Sequence, residues 1–159
     1  GKTALLTRAL ARLLAGTAVA WIAADEDDDL ERLVECLVAA LEPCDPPWRS
    51  APERLAARVA AASPPQRLPL VAEMVNTLEA TGVAHGVIVF DDLHRVADPA
   101  FHAFLRLLLE RLGRRWSIAL ASRVEPPVPL GRLRAAGELA EFRQPQLAFT
   151  REEARRLLE

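Results

Sequence analysis

The stretch Gly86-Val87-Ile88-Val89-Phe90-Asp91-Asp92-Leu93-His94 limits the folds open to this chain more than any other. Val87 to Phe90 are four consecutive apolar residues that favour extended backbone. A run apolar at every position suits a strand buried on both faces. Two carboxylates follow where that strand leaves the sheet. In parallel α/β sheets, ligands bind at that carboxyl edge, so the pair points to a metal–phosphate site. Taken alone, the two acids also fit an exposed loop that caps the next element. Paired carboxylates for glycoside hydrolysis fit poorly, because adjacent residues on a strand point to opposite faces.

A length of 159 residues holds one domain with a sizeable core. The chain is 51% hydrophobic and 26% charged, ordinary for a soluble globular protein. A formal net charge of −2 gives no global reason to bind nucleic acid or an anionic membrane. Lys2 is the only lysine; the other nineteen basic residues are arginines. Codon bias accounts for the arginines, yet the lone lysine falls within Gly1-Lys2-Thr3. Two cysteines, Cys36 and Cys44, make no disulfide framework. A reducing cytoplasm is their simplest setting. No apolar run approaches the roughly 18–20 residues that span a membrane. The chain lacks an initiator Met and starts inside a motif, so it reads as a segment of a longer protein.

Along the chain, helical and extended patterns alternate. Thr3 to Leu14 has leucines at 6, 10, 13 and 14, a helical spacing, with Gly16 as C-cap. Val19 to Ala23 is a short apolar strand that runs into Asp25-Glu26-Asp27-Asp28-Asp29. Acids suit the N-terminus of a helix, where they meet free N–H groups and the positive dipole end; Leu30 to Leu41 is that helix. A metal site is the competing reading of the acidic run. Pro43 to Pro52 carries four prolines and is a loop. Glu53 to Ala62 is a short helix, Ser63-Pro64-Pro65 breaks it, and Leu68 to Ala80 is the next, ended by Gly82. After the central strand, Asp98-Pro99 caps a helix that runs to about Leu112. Trp116 to Ser122 is a third strand, followed by a proline-rich loop from Val124 to Gly131. Leu130 to Ala136 is a short helical segment, and Glu138 to Arg143 is a weaker strand candidate. Thr150 starts a last helix, with Glu at the third helical position. Strands alternating with helices imply a parallel sheet covered on both faces.

Gly1-Lys2-Thr3 before a helix matches the tail of the phosphate-binding loop G-x-x-x-x-G-K-[ST]. In such a loop, backbone amides wrap phosphate at a helix N-terminus. The lysine adds charge toward the β and γ phosphates, and the hydroxyl holds Mg²⁺. Asp91 would then hold Mg²⁺, mostly through water, and Asp92 would orient or deprotonate the attacking water. Ser122-Arg123 ends the following strand. An arginine there can approach a γ-phosphate with its fixed fork of donors, or it is simply a surface arginine. His94 would orient the water, couple the site to its neighbours, or serve only the structure. His85 and His102 have no ligand spacing with acids or cysteines, so no structural metal is expected. Trp21, Trp48 and Trp116 are too scattered to form a platform for bases.

In order, the segments are Gly-Lys-Thr, Val-Ala-Trp-Ile-Ala-Ala-Asp-Glu-Asp-Asp, Val-Ile-Val-Phe-Asp-Asp-Leu-His and Leu-Ala-Ser-Arg-Val-Glu-Pro-Pro. Together they resemble the STAND class of P-loop ATPases. More narrowly, they are similar to the ATPase module of the large, MalT-like LuxR-type transcriptional regulators. Leu147-Ala148-Phe149-Thr150-Arg151-Glu152-Glu153-Ala154 fits the helix that opens the next subdomain in that group. The resemblance implies an α/β P-loop NTPase core over residues 1–146, truncated at its N-terminus, and the start of a helical subdomain over 147–159. The implied strand order is 5-1-4-3-2, with the P-loop strand interior and absent here. The implied cofactors are ATP or ADP and Mg²⁺. Gly1, Lys2, Thr3 and Asp91 would bind the nucleotide, and Thr3 and Asp91 the Mg²⁺. Asp92 would be the hydrolytic acid and Arg123 the sensor.

The resemblance also implies a switch. ADP holds a resting monomer, ATP with an inducer permits self-association, and slow hydrolysis resets it. DNA would be bound only through domains outside this chain, with no membrane contact. Truncation predicts that these residues alone bind ATP poorly or do not fold independently. Two further readings stay open: an AAA+-type remodelling ATPase, and a non-hydrolysing interaction scaffold with the same fold. Asp92, where such remodelling motors usually carry Glu, argues against the first.

Overall fold

The computed structural model describes residues 17–48 and 51–143, with residues 6, 7, 10, 12 and 146. Its centre is a parallel sheet of three strands: β1 (Thr17–Ala23), β2 (His85–Asp91) and β3 (Trp116–Leu120), in the order β1-β2-β3. The register runs from Thr17↔His85 to Ala23↔Asp91 on one side of β2, and from Gly86↔Trp116 to Phe90↔Leu120 on the other. The most continuously apolar segment therefore takes the position with a ladder on both sides. The order is compatible with the 2-3-4 part of the order implied by resemblance.

Helices α1 (Leu30–Leu41), α2 (Pro52–Ala61) and α3 (Pro64–Glu79) connect β1 to β2. Helix α4 (Pro99–Arg111) connects β2 to β3, and α5 (Leu130–Ala135) follows the sheet. One core cluster joins Ala20, Ile22, Ile88, Phe90 and Trp116 of the strands to α1, α3 and α4. Phe90 meets Phe101 of α4 edge to face, with centroids 5.6 Å apart. These strand residues alternate in sequence and so share one sheet face. Both crossovers step across the sheet in the same direction. Right-handed connections then place their helices on the same side. The expectation of helices on both faces is thus met for one face among the described residues. On the other, Val89 and Asp91 are buried while Val19 is 40% exposed.

Several boundaries differ from the sequence expectations. Helix α3 begins at Pro64 rather than Leu68. Pro64 and Pro65 occupy its first turn, where a missing N–H costs nothing because those donors have no helical partner. The Ser63 N–H donates to Oε1 of Gln66 at 3.0 Å, half of a capping box. Arg67 then reaches back, donating from Nε to the Val59 carbonyl at 3.1 Å, which supports the end of α2. Strand β3 stops at Leu120, two residues early. Glu138 to Arg143 forms no strand. A strand needs a ladder partner; here the Glu138 N–H instead closes the end of α5 on the Leu133 carbonyl at 2.9 Å, and Glu141 pairs with Arg134 of that helix. Leu6, Thr7 and Leu10 are helical as expected. Arg12 lies in a turn, short of the helix end expected at Leu14; the other residues of that helix, the helix from Thr150 and the boundary at 146/147 lie outside the described residues.

Candidate functional site

The carboxyl edge of the sheet is shaped by the turn that follows β2. Asp91 ends the strand and is 4% exposed. Its carbonyl accepts the Ala24 N–H at 2.9 Å, from the β1 side. On the β3 side, the Ala121 N–H donates to the Phe90 carbonyl at 2.9 Å, and the Leu93 N–H donates to the Ala121 carbonyl at 2.9 Å. The turn is therefore tied to both neighbours of β2.

Asp92 lies in the left-handed region, at φ 53 and ψ 33. That conformation is uncommon for a residue with a Cβ, although Asp tolerates it better than most. The Asp92 N–H donates to Oδ1 of Asp91 at 3.0 Å. The Asp92 carbonyl accepts the Arg95 N–H at 2.9 Å and starts a short 3-10 turn, Leu93–Arg95. The two adjacent acids thus gain different surroundings. Asp91 is buried, and the side chain of Asp92 is 50% exposed. His94 Nδ1 lies 3.9 Å from Oδ1 of Asp92, is buried and makes no hydrogen bond.

The same turn also reaches the β1–α1 loop. Arg95 pairs with Asp25 at 2.7 Å and with Glu26 at 3.8 Å. Asp98 accepts the Leu30 N–H on Oδ2 and the Ala100 N–H on Oδ1, both at 2.8 Å. The acidic run itself serves the start of α1. Asp29 accepts the Arg32 N–H at 2.9 Å as N-cap, and Asp28 accepts the Asp25 N–H at 2.8 Å. Among the described residues, no group of three or more His, Cys, Asp or Glu is placed to hold a metal ion. Arg95, and the second partner of Asp98, are features that the sequence did not reveal.

Arg123 is exposed, two residues beyond Ala121, and so lies past the same edge as Asp91 and Asp92. The Ser122 hydroxyl donates to the Val124 carbonyl at 2.6 Å, a local turn contact. The structure therefore brings Asp91, Asp92 and Arg123 to one edge. Gly1, Lys2 and Thr3 lie outside the described residues. The donor chemistry suits Mg²⁺: this cation binds hard oxygen, commonly through one or two carboxylates, with water and phosphate completing the shell. Asp91 offers such a carboxylate, oriented by the Asp92 N–H.

No family model matches the chain. The whole chain is 29% identical, over 160 aligned residues, to the HTH-type transcriptional regulator MalT of Cronobacter sakazakii, and covers 17% of that protein. Over 72 residues, 45% of the chain, it is 32% identical to the HTH-type transcriptional regulator MalT of Serratia proteamaculans, covering 8% of it. The chain is thus MalT-like in sequence and spans about a sixth of the length of the relative it matches throughout. Among the described residues, no helix is long and apolar enough to cross a membrane.

Proposed function

We propose that this chain is the ATP-binding switch module of a signal-responsive, cytoplasmic transcriptional regulator of the LuxR type, and that its ATP or ADP state controls self-association. The observation that carries the reading is the Asp91–Asp92 turn. It stands at the carboxyl edge of the central strand of a parallel sheet, where α/β folds bind ligands. Similarity to MalT along the whole chain supports the regulatory context.

Mg²⁺–ATP, when bound, supplies the phosphoryl group and the cation that offsets its charge. Each residue then has a separate task. Asp91, buried and held by the Asp92 N–H, keeps a fixed carboxylate toward the cation. Asp92, half exposed, orients the attacking water and takes its proton. Arg123 approaches the γ-phosphate from the end of β3 and stabilises its oxygens. Gly1, Lys2 and Thr3 supply the phosphate cradle, a positive charge and a hydroxyl for the cation. Because Asp25–Asp29, Asp91 and Asp92 make this edge acidic, Lys2 and the cation are needed for a polyphosphate to settle there.

The test uses the longest natural protein that contains these residues. ATP and ADP binding are measured by equilibrium dialysis with and without Mg²⁺, and self-association by sedimentation velocity. Lys2→Ala should abolish ATP binding, and in the presence of the inducing signal assemblies should form with ATP but not with ADP. ATP binding unchanged in both Lys2→Ala and Asp91→Ala overturns the nucleotide site. Assembly that is indifferent to the nucleotide overturns the switch.

A further inference from the structure

We propose that Arg95 is a positioning residue for Asp92, and that it acts by locking the turn after β2 to the β1–α1 loop. The inference rests on the nucleotide-site reading above and names a control on that same site. A left-handed residue with a Cβ persists only where its surroundings hold it. Asp92 is held from one side by its own N–H on Asp91, and from the other by the Arg95 N–H on its carbonyl. The side chain of Arg95 leaves the turn and pairs with Asp25 and Glu26. One residue therefore grips the strained acid with its backbone and a separate loop with its guanidinium.

Three residues later, Asp98 fastens the same stretch to the Leu30 N–H. The segment 92–98 is thus anchored at both ends and in its middle. The Arg95 pair is 41% exposed at the arginine and more exposed at the acids. Exposed pairs of this kind add little to global stability. Their effect on the direction of one carboxylate is a different matter, since small misplacements of a catalytic group cost much in rate. The β1–α1 loop is thereby part of the apparatus that aims Asp92, although none of its residues needs to touch the nucleotide.

The test compares Arg95→Ala, Arg95→Lys and the double variant Asp25→Asn/Glu26→Gln in the longest natural protein. Arg32→Ala, which removes another exposed pair on α1, serves as control. Steady-state ATP hydrolysis and amide exchange at Leu93, Arg95 and Val96 are measured together. Arg95→Ala should lower kcat about tenfold or more while KM stays within about twofold. Arg95→Lys should recover most of the rate. The loop double variant should match Arg95→Ala and add nothing to it. Exchange at Arg95 and Val96 should quicken in Arg95→Ala. An unchanged kcat in Arg95→Ala, or an equal loss in Arg32→Ala, overturns the inference. If the unmodified protein binds and hydrolyses no ATP, the nucleotide reading fails; unaltered exchange in Arg95→Ala then separately shows that the loop does not hold the turn.

Discussion

The N–H of Leu30 donates to Oδ2 of Asp98 at 2.8 Å, across 68 residues of sequence. The other oxygen of that carboxylate accepts the Ala100 N–H at 2.8 Å. One aspartate thus caps two helices, α1 and α4, whose N-termini lie beside the carboxyl ends of β1 and β2. Helix N-termini carry unpaired N–H groups and partial positive charge, and one anion offsets both. Asp29, the sequence-adjacent cap of α1, takes the Arg32 N–H instead.

Asp98→Ala should therefore cost more than an ordinary cap. One cap is typically worth about 1 kcal/mol, so losing two at once should lower stability by about 2–3 kcal/mol. Asp98→Asn keeps an acceptor oxygen and should cost less. Urea unfolding decides, with a lower midpoint and an unchanged slope expected. A loss no larger than that of Asp29→Ala would mean that the Leu30 contact contributes nothing.

Gly86 and Trp116 make a second testable pair. A Cβ added at Gly86 would lie 2.3 Å from Cε3 and 2.4 Å from Cζ3 of the indole ring. The ring is confined, being 4% exposed and donating from Nε1 to the Leu78 carbonyl at 3.2 Å. Gly86→Ala should cost about 1–3 kcal/mol through overpacking, with a shift in tryptophan emission as the ring is displaced. Adding Trp116→Leu should relieve the clash, so the double variant should lose less than the sum of the two.

Much of this architecture is written locally. Val87 to Phe90 had to be an interior strand, because four apolar side chains need cover on both faces. Leu30 to Leu41 carries its own helical stripe. Local pattern misleads where a partner decides the outcome. Glu138 to Arg143 has an extended pattern, but a strand requires a neighbour, and Glu141 instead meets Arg134 nearby. Pro64-Pro65 has the composition of a break and forms the first turn of α3, where no helical N–H is lost, and the helix continues through Pro69 to Glu79. At the site, the two acids were evident from position alone. The left-handed turn at Asp92 and the reach of Arg95 to Asp25 depend on how two loops pack, and no local pattern encodes that.

The contrast between the two acids predicts a division of labour. Asp91 is buried and held; Asp92 is half exposed. Asp91→Asn should weaken Mg²⁺-dependent ATP binding, because it removes the charge from the cation ligand. Asp92→Asn should leave binding intact and slow turnover by about 10²–10⁴, the usual contribution of a general base. Arg123→Ala should leave ADP affinity unchanged and reduce discrimination in favour of ATP. Calorimetric titrations with both nucleotides, combined with single-turnover hydrolysis, separate these outcomes. Equal losses of binding in Asp91→Asn and Asp92→Asn would remove the distinction drawn from burial.

Acid should weaken the pairing of Glu141 with Arg134 and Arg143. The hydrogen bond from Arg134 is the largest influence holding the Glu141 carboxyl below the usual Glu range, and a second comes from Arg143. A carboxyl whose folded value is depressed favours the folded arrangement fully above the ordinary unfolded value, about 4.3 for Glu. That preference disappears as pH falls through the lower folded value. The Glu138 N–H on the Leu133 carbonyl closes the C-terminus of α5 after Gly137, at φ 70, and does not depend on Glu141. The pairing of Glu141 with Arg134 should thus persist at neutral pH and weaken in acid, while that closure and the core of the sheet stay protected. Arg134→Ala should raise the Glu141 titration toward the ordinary range, and Arg143→Ala should raise it less. High salt should mimic both in part, since the pairs are solvent-facing. Side-chain carboxyl NMR gives the titration directly, and an unaltered Glu141 midpoint in Arg134→Ala would show that Arg134 does not hold the carboxyl low.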